Sequence, residues 1–419
     1  MAMLIIAAEK VYQVIVSAVF AIAISLPASS WLFSQSNDIS ETEGRRLAAL
    51  PDIPLDEKLL KEFPKEFESY FDDHYGFRST LIESNRAWKA FAFKKSFTRR
   101  VIRGSGDWLF FNDRGSLADF IGQKRLNLEE LRAWEQYLLD KKTWLNSMGI
   151  EYLFVPIPNK MTVYPEHLPT RIKGSQKESR LDQLEGFLSA NSLFRDHLFL
   201  TEVLVREKES GPEMLANYLG SQKGSVGDLY LHSDTHWTSL GGFIAYQQII
   251  HRLQKMLPGL EPPLTISDQR VESVLATKTD LARILSLPAE EIHPVLWPKV
   301  TCSDGKQRFV KSFETTEAFQ RKKSERGRAA LPLKSVCAQR RFKAVIAHDS
   351  FGNRIRSFFS ESFGEAVFMG DFDLIGMEEF LREYKPDVFV DLRIERLVPG
   401  LLVSDEKLKR AALQIRKRL

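Results

Sequence analysis

The sequence has few of the residues that build metal centres. Cys302 and Cys337 are the only cysteines among 419 residues, and the eight histidines are scattered. Zinc and haem sites need clustered ligands with recognisable spacing, so the sequence predicts no metal site and no cofactor. The two cysteines can pair in an oxidising compartment, but the sequence does not reveal how far apart they lie.

Strong net charge and internal repetition are also absent. The formal net charge is only +4, an excess too small to indicate nucleic-acid binding. The sequence contains no internal repeat and no long low-complexity tract. We therefore predict one large folded body with smaller additions, and no nucleic-acid partner.

Long apolar runs are absent after the first 35 residues. Before that point, residues 11–33 carry no charge, and at about 1.5 Å per residue a helix of that length spans a membrane. The run exceeds the roughly 7–15 residues of a signal-peptide core, which favours an uncleaved anchor over residues 1–35. Pro27 and the small residues 28–30 keep a cleaved signal peptide open as the alternative.

The most informative residues that are present are Asp234 and His236, followed far downstream by Ser350. Serine is a poor nucleophile until a base takes its proton, and histidine, with an ordinary pKa of about 6.5, suits that role. A carboxylate on the other ring nitrogen fixes the tautomer and stabilises the imidazolium. The sequence thus predicts covalent acyl transfer, with Ser350 as nucleophile, His236 as base and Asp234 as orienting acid.

The surroundings of Ser350 support this prediction. Residues 343–347 form a short apolar run typical of a buried strand, and Ile355, Phe358 and Phe359 recur beyond it at helical spacing. A serine between a strand and a helix is exposed at a sheet edge, where helix N–H groups can stabilise an oxyanion. The alternative is structural, because serine and aspartate often cap helices and an Asp-x-His motif can be a plain turn.

Alternation of helices and strands predicts the fold class. A helix is predicted over Asn127–Met148, capped by Asn127 and Glu130 and ended by Gly149, and another over Gly242–Leu253. Strands are predicted at residues 152–155, 345–347, 366–368 and 388–390. Such alternation indicates a parallel sheet flanked by helices, with active residues beyond the carboxyl ends of the strands.

Three further side chains are candidates for substrate binding. Asn159 and Lys160 follow the predicted strand at 152–155, where a donor can bind a sugar or help to hold an oxyanion. Trp237, beside the base, can stack on a sugar ring. The alternatives are a turn with a solvated lysine for the first pair, and a buried aromatic anchor under the catalytic loop for Trp237.

Several segments resemble the SGNH-hydrolase-like O-acetyltransferases of the alginate acetylation type. They occur in the family's order, from about residue 40 to about residue 400. The segments are 73–78 (Asp-His-Tyr-Gly-Phe-Arg), 106–110 (Gly-Asp-Trp-Leu-Phe), 156–160 (Pro-Ile-Pro-Asn-Lys), 163–169 (Val-Tyr-Pro-Glu-His-Leu-Pro), 234–237 (Asp-Thr-His-Trp), 349–352 (Asp-Ser-Phe-Gly), and 386–388 with 395–396. No segment between about residues 255 and 335 matches.

The resemblance implies an SGNH-hydrolase-like α/β fold with a rearranged motif order, in which the Asp-x-His element precedes the serine. It implies acetyl transfer from Ser350 onto a hydroxyl of an exported polysaccharide, with the acetyl donor delivered by a membrane-embedded acyltransferase. The expected layout is a single-pass inner-membrane anchor at 1–35, a tether and N-terminal helical segment at 36–105, and a periplasmic catalytic domain at 106–419.

Two other functions remain open. A periplasmic acetyl-esterase would use the same three side chains with water as the acceptor, and the sequence does not report water exclusion or sugar affinity. A non-catalytic polysaccharide-binding scaffold would not need the serine at all. The polysaccharide, the donor and the oligomeric state are not specified by the sequence.

Overall fold

The computed structural model describes most of the chain from residue 99 onward and short parts of what precedes it. The described residues are 13–21, 25, 39–40, 45–46, 48–51, 63–74, 84, 99–190, 192–220, 227–277, 279–285, 287, 290–299, 333–370 and 378–398. The chain divides into two compact units, residues 1–97 with 283–287 and residues 98–282 with 288–419.

The described residues of the smaller unit lie mostly in short helices and strands. Two short strands, β1 (Ile39–Ser40) and β2 (Arg45–Arg46), pair antiparallel, and helix α1 spans Phe63–His74 within the predicted N-terminal helical segment. Of the predicted anchor, residues 13–21 and 25 are helical, and the rest lies outside the described residues. Across the described parts of the chain, no helix is both long and apolar enough to cross a membrane.

From residue 99 onward the chain alternates strands and helices. The strands are β3 (Val101–Arg103), β4 (Leu109–Phe111), β5 (Glu151–Ile157), β6 (Gln269–Ala276), β7 (Glu291–Pro298), β8 (Leu333–Val336), β9 (Lys343–His348), β10 (Glu365–Met369) and β11 (Val388–Ile394). The helices are α2 (Ser116–Phe120), α3 (Leu128–Asn146), α4 (Lys160–Val163), α5 (Thr170–Lys173), α6 (Arg180–Ala190), α7 (Thr201–Leu219), α8 (Ser239–Gln254), α9 (Asp280–Leu285), α10 (Arg356–Ser360) and α11 (Glu378–Tyr384).

A five-stranded sheet, in the order β5-β11-β9-β10-β8, forms the centre of the larger unit. The four predicted strands run parallel to one another, as expected. The fifth, β8, was not predicted and runs antiparallel to β10, so the sheet is mixed and not purely parallel. An edge strand needs no continuous apolar run, and β8, with Lys334 and Ser335 at its centre, has none. Cys337 follows β8 and is buried in a disulfide bond, while Cys302 lies outside the described residues.

Each face of the sheet buries its own hydrophobic cluster. Successive strand residues point to opposite faces, so Leu153 and Ile346 pack with α7, α8 and α10, whereas Tyr152 and Val345 pack with α3, α6 and α11. Complete burial of a side chain of this size contributes roughly 1.5–3 kcal/mol. The predicted arrangement of helices on both faces is therefore confirmed.

The two predicted helices form where their caps require. Asn127 accepts a hydrogen bond from the Glu130 amide (2.9 Å) and the Glu130 carboxylate accepts one from the Asn127 amide (2.8 Å), which is the predicted capping box of α3. Gly149 follows with a φ of 76°, a conformation that favours glycine. Helix α8 begins three residues before the predicted start, because the Thr238 hydroxyl accepts a hydrogen bond from the Gly241 amide (3.2 Å) and caps it there.

Three adjacent strands end together at one edge of the sheet. β11 lies between β5 and β9, so the segments that follow these strands are neighbours. They contain Asn159 and Lys160 after β5, Asp349 and Ser350 after β9, and the 3₁₀ helix Glu395–Leu397 after β11. Crevices beyond the carboxyl ends of parallel strands are where ligands bind in such folds.

Candidate active site

Three side chains that are distant in sequence meet at this edge. His236 Nε2 lies 2.7 Å from Ser350 Oγ, and His236 Nδ1 lies 2.6 Å from Asp234 Oδ1. A carboxylate can only accept, so Nδ1 carries the proton and Nε2 is left to accept from the serine hydroxyl. Ser350 is exposed, and a substrate can reach its hydroxyl. The arrangement has the donor and acceptor order that activates a serine.

Asp234 is held in its ionised form. Burial acts to raise the pKa of Asp234, but the hydrogen bond and charge of His236 outweigh it, and the pKa lies well below its usual value. Two backbone amides, those of His236 and Asp280, add hydrogen bonds of 3.0 Å each to this carboxylate. The Asp234 carboxylate is therefore charged and fixed in position beside the imidazole.

The sequence left open whether the turn at residues 349–350 caps a helix or carries a nucleophile, and the turn has features of both. Asp349 is a cap: its carboxylate accepts from the Phe351 amide (2.9 Å) and from the Ile394 amide at the end of β11 (2.7 Å). Ser350 instead directs its hydroxyl to His236. The helix begins as a 3₁₀ segment, Ser350–Arg354, before α10. Within the described residues, the structure shows no acceptor for the Ser350 amide.

Trp237 is an anchor beneath the site. It is fully buried, its indole Nε1 donates to the Phe351 carbonyl (3.0 Å), and its ring meets the Phe351 ring edge-on at 5.4 Å. The expectation that Trp237 stacks on a sugar is corrected, because a completely buried ring offers no face to a ligand. Its packing joins the segment that carries the base to the turn that carries the serine.

Lys160 is also turned away from solvent. It is 4% exposed, and its ammonium donates to the carbonyls of Leu231 (2.8 Å), His232 (2.8 Å) and Asp234 (2.7 Å). Burial lowers the pKa of Lys160 to about 7, against the opposing effect of nearby carboxylates such as Asp234. All three N–H donors are occupied, so the expectation that Lys160 binds substrate directly is corrected as well.

Asn159 lies at the same sheet edge as the nucleophile. Its amide N–H donates to Glu395 (2.7 Å), and its side-chain oxygen accepts from Arg396 (3.2 Å). The Arg396 guanidinium in turn lies 5.5 Å from the centre of the Phe351 ring. Arg396 therefore links Asn159 to the serine turn. Glu395 and Arg396 directly follow β11, and the family resemblance had already included them as segment 395–396.

Two acidic residues that the sequence did not single out contact the segment around the base. Asp280 accepts from the amide (2.8 Å) and the hydroxyl (2.5 Å) of Thr235 and lies 3.9 Å from His236 Nδ1. Glu291 accepts from the amides of His232 (2.7 Å) and Ser233 (3.1 Å). Burial, followed by the charge of Asp234, raises the pKa of Asp280. Both lie between about residues 255 and 335, where the sequence motifs gave no resemblance.

Among the described residues, one group has ligand atoms close enough together to hold a cation. Asp234, His236 and Asp280 bring such atoms within 4.8 Å of one another. The same atoms already form the hydrogen bond between Asp234 and His236 and those between Asp280 and Thr235. A metal bound there would replace the contact that orients the imidazole, so the geometry fits a proton-transfer site better than a metal centre.

Comparison with protein families identifies one matching family. The model described as "SGNH hydrolase-like domain, acetyltransferase AlgX" matches residues 101–324, just over half of the chain. The matched region contains Asp234 and His236 and ends before Ser350. The family resemblance predicted from the sequence motifs is therefore confirmed.

The chain is also similar to curated relatives and to solved structures. Proteins called "Probable alginate O-acetylase AlgJ" are 23% identical in Pseudomonas syringae pv. tomato (57% of this chain, 54% of the relative) and 24% in Pseudomonas fluorescens (56% and 52%). The chain thus spans about half the length of the curated relatives it matches. Bacillus cereus PatB1 with a sulfonyl adduct has a TM-score of 0.49 and 14% identity (74% of this chain, 99% of that one). The O-acetyltransferase domain of Pseudomonas putida AlgJ has a TM-score of 0.43 and 15% identity (76% and 99%).

Proposed function

This chain belongs to the SGNH hydrolase-like acetyltransferase AlgX family, and from that membership we propose that it is an O-acetyltransferase acting on hydroxyl groups of an exported polysaccharide. The observation that carries the proposal is the hydrogen-bond series from Asp234 through His236 to the exposed Ser350 hydroxyl. The name that its relatives carry, alginate O-acetylase, makes alginate the first polymer to test.

In the first half-reaction, Ser350 Oγ attacks the carbonyl carbon of an acetyl ester donor. His236 Nε2 takes the hydroxyl proton as the new C–O bond forms. The tetrahedral intermediate then collapses, the bond to the donor oxygen breaks, and His236 returns its proton to the departing alcohol. Asp234 stabilises the imidazolium between these two transfers. The product of this half-reaction is acetyl-Ser350.

In the second half-reaction, a sugar hydroxyl replaces the donor alcohol. His236 Nε2 removes the proton of that hydroxyl as its oxygen attacks the acetyl carbon. The bond from the acetyl carbon to Ser350 Oγ then breaks, and His236 gives the proton back to the serine. The acetyl group ends on the sugar, and Asp234, His236 and Ser350 return to their starting protonation states.

Each half-reaction develops a negative charge on the acetyl oxygen. The Ser350 amide is a suitable donor to that oxygen, whereas the Phe351 and Gly352 amides already donate to Asp349. We assign the second donor to the Asn159 side-chain amide, which Arg396 orients through the Asn159 oxygen. A donor from the end of β5 and a donor from the end of β9, on either side of β11, would then face the developing oxyanion.

The location and partners form the remainder of the proposal. Residues 1–35 would anchor the chain as a single pass in the inner membrane, 36–105 would tether it, and 106–419 would act in the periplasm. The acetyl donor would come from a membrane-embedded acyltransferase, and the acceptor would be the polysaccharide in transit. Support comes from the uncharged run at residues 11–33 and from the names of the relatives.

An acetyl-esterase is the second candidate, and the exposure of Ser350 favours it. Water reaches an exposed serine as readily as a sugar does, so the same three side chains can hydrolyse acetyl-Ser350. The choice between these outcomes depends on how strongly the site binds sugar at the transition state.

Incubation with an activated acetyl ester tests both candidates. We expect acetylated oligosaccharide by mass spectrometry when alginate oligosaccharide is present, together with acetyl-Ser350 trapped in His236→Ala. Ser350→Ala should lose turnover by about 10³-fold or more. Acetate release that ignores the oligosaccharide, with no acetylated sugar, would replace the transferase by the esterase. Sugar acetylation that persists in Ser350→Ala would exclude both.

A further inference from the structure

The segment that carries the base, residues 231–236, is not part of a helix or strand ladder of any length. Backbone groups of Leu109 and Ala282 bind two of its carbonyls, and charged side chains from other elements bind several of its other carbonyls and amides. Three carbonyls, those of Leu231, His232 and Asp234, accept from the single ammonium of Lys160 at 2.7–2.8 Å. The buried lysine therefore fixes the segment along one side.

The amides of the same segment bind carboxylates. His232 and Ser233 donate to Glu291 at 2.7 and 3.1 Å, and the Ser233 hydroxyl adds a third bond of 2.8 Å. Thr235 donates its amide and hydroxyl to Asp280. The carbonyls and amides of one short segment are thus held by opposite charges.

The three charged residues stand at the beginnings of three separate elements. Lys160 starts α4, Asp280 starts α9 and Glu291 starts β7. The Asp280 amide also donates to Asp234 Oδ2 (3.0 Å), so this residue contacts the orienting carboxylate itself. Elements far apart in sequence therefore converge on a single short segment.

We propose that Lys160, Asp280 and Glu291 form a charged clamp that positions Asp234 and His236 for reaction with Ser350. The inference rests on the proposed function, because it assigns these three as positioning residues for that chemistry. A displacement of about 1 Å at a reacting group costs on the order of 10²-fold in rate. Loosening the segment should therefore reduce turnover while leaving substrate affinity nearly unchanged.

The clamp differs from an ordinary buried ion pair because its charged side chains bind the backbone of residues 231–236. Lys141 is also a buried lysine, but its ammonium contacts Asp391 of β11, on the other face of the sheet. Lys141→Met is therefore a matched control for Lys160→Met. Both substitutions remove a buried ammonium, and only the second removes donors to the segment that carries the base.

The test is the rate at which a sulfonyl fluoride modifies Ser350 in the full chain, followed by mass spectrometry. We expect Lys160→Met to slow modification of Ser350 by about 10- to 100-fold. Its urea unfolding should remain cooperative. The low-field proton resonance of the His236–Asp234 hydrogen bond should be lost. KM for an acetyl ester should stay within about threefold while kcat falls with the labelling rate. Lys141→Met should keep both the rate and the resonance.

Asp280 gives a second test that does not depend on Lys160→Met folding. Asp280→Ala should slow labelling by about tenfold, and Asp280→Asn should recover much of it, because asparagine keeps an acceptor for the Thr235 amide. The clamp would be overturned if Lys160→Met and Asp280→Ala both folded and Ser350 were modified in both at the wild-type rate. If Lys160→Met does not fold, modification of Ser350 at the wild-type rate in Asp280→Ala alone would overturn the clamp.

The outcomes separate the clamp from the proposed function, since labelling needs neither donor nor polysaccharide. If Ser350 is modified rapidly in the wild type and slowly in the clamp variants, but no sugar is acetylated, the clamp is supported and the transferase is rejected. Wild-type labelling no faster than in His236→Ala would reject the activated serine and the clamp together.

Discussion

His236 can act as the base for Ser350 because Asp234 decides which ring nitrogen carries the proton. The carboxylate accepts from Nδ1 at 2.6 Å, and Nε2 is then free to accept from the serine at 2.7 Å. The contrast with His232 is instructive. That ring lies between two carboxylates, Asp228 on Nε2 and Asp107 on Nδ1, so neither nitrogen faces a nucleophile.

Asp234→Asn tests this assignment of the proton. An asparagine can donate its amide N–H to Nδ1, which leaves the proton on Nε2 and removes the acceptor for Ser350. We expect kcat for acetyl-ester hydrolysis to fall by about 10⁴-fold, with a loss of about 1–3 kcal/mol in stability because the His236 amide loses its acceptor.

Asp228→Asn is the matched control for that substitution. It alters an aspartate–histidine pair in the same segment that does not contact the serine. The control should retain nearly full activity. Equal losses in the two variants would show that the neighbourhood, and not the tautomer of His236, determines the rate.

At the scale of elements, the sequence predicted those helices and strands whose structure depends on residues close together in the chain. The capping box of α3 and the apolar runs of β5, β9, β10 and β11 were predictable because caps and buried strands are local patterns. The three residues Asp234, His236 and Ser350 were predictable because the chemistry of acyl transfer restricts the residue types. Their meeting in space could not be derived from the sequence, because His236 and Ser350 are 114 residues apart along the chain.

The elements that escaped prediction are those defined by distant partners. Asp280 and Glu291 have no spacing rule that connects them to Thr235 or His232, and only the folded chain brings them together. Lys160 was located correctly at a strand end but assigned to substrate, because sequence does not report the direction of a side chain. The antiparallel β8 gave no signal because it is an edge strand without a continuous apolar run.

Helix α8 must approach the serine turn closely, and Gly242 makes that approach possible. A Cβ at Gly242 would lie 2.7 Å from Ile355 Cγ2 and 3.5 Å from Trp237 Nε1. Ile355 is fully buried and β-branched, so it cannot swing away. We expect Gly242→Ala to destabilise the fold by about 1–3 kcal/mol and to slow sulfonyl labelling of Ser350.

Gly186→Ala in α6 is the matched control. A Cβ there meets nothing within 4 Å, so the ordinary helical preference for alanine should stabilise the protein by about 0.5–1 kcal/mol. Urea unfolding of both variants measures the difference. A stabilised Gly242→Ala with normal labelling would contradict the proposed tight contact between α8 and the serine turn.

At the scale of the whole larger unit, the apolar side chains that stabilise the fold lie on the two faces of the sheet, and the reactive side chains lie at its carboxyl edge. The two hydrophobic clusters cover its faces, while the carboxyl edge carries the exposed serine together with buried ionisable groups such as Lys160 and Glu395. Glu395 belongs to that edge and is almost fully buried, with the Asn159 amide and the Thr162 hydroxyl each at 2.7 Å. The edge therefore contributes a pH dependence that the apolar clusters cannot.

Glu395 should make the fold less stable as the pH rises. Burial raises the pKa of Glu395 to about 7, against the opposing hydrogen bonds from Asn159 and Thr162. A raised carboxyl pKa favours folding while the group is protonated. That contribution is complete below the unfolded pKa of about 4.3, declines as pH rises, and is gone above about 7. The full loss is about 4 kcal/mol, because each pKa unit corresponds to 1.36 kcal/mol.

Glu395→Gln removes the titration while keeping an acceptor for the same two donors. We therefore expect the stability of wild type relative to Glu395→Gln, from urea unfolding, to fall by about 3 kcal/mol between pH 5 and pH 8. Glu129→Gln, at an exposed position of α3, removes the same charge and should show no such trend. A difference between wild type and Glu395→Gln that stays constant over this range would mean that Glu395 is ionised in the folded protein throughout. The carboxyl edge would then hold an additional buried charge, stabilised by the Asn159 amide and the Thr162 hydroxyl.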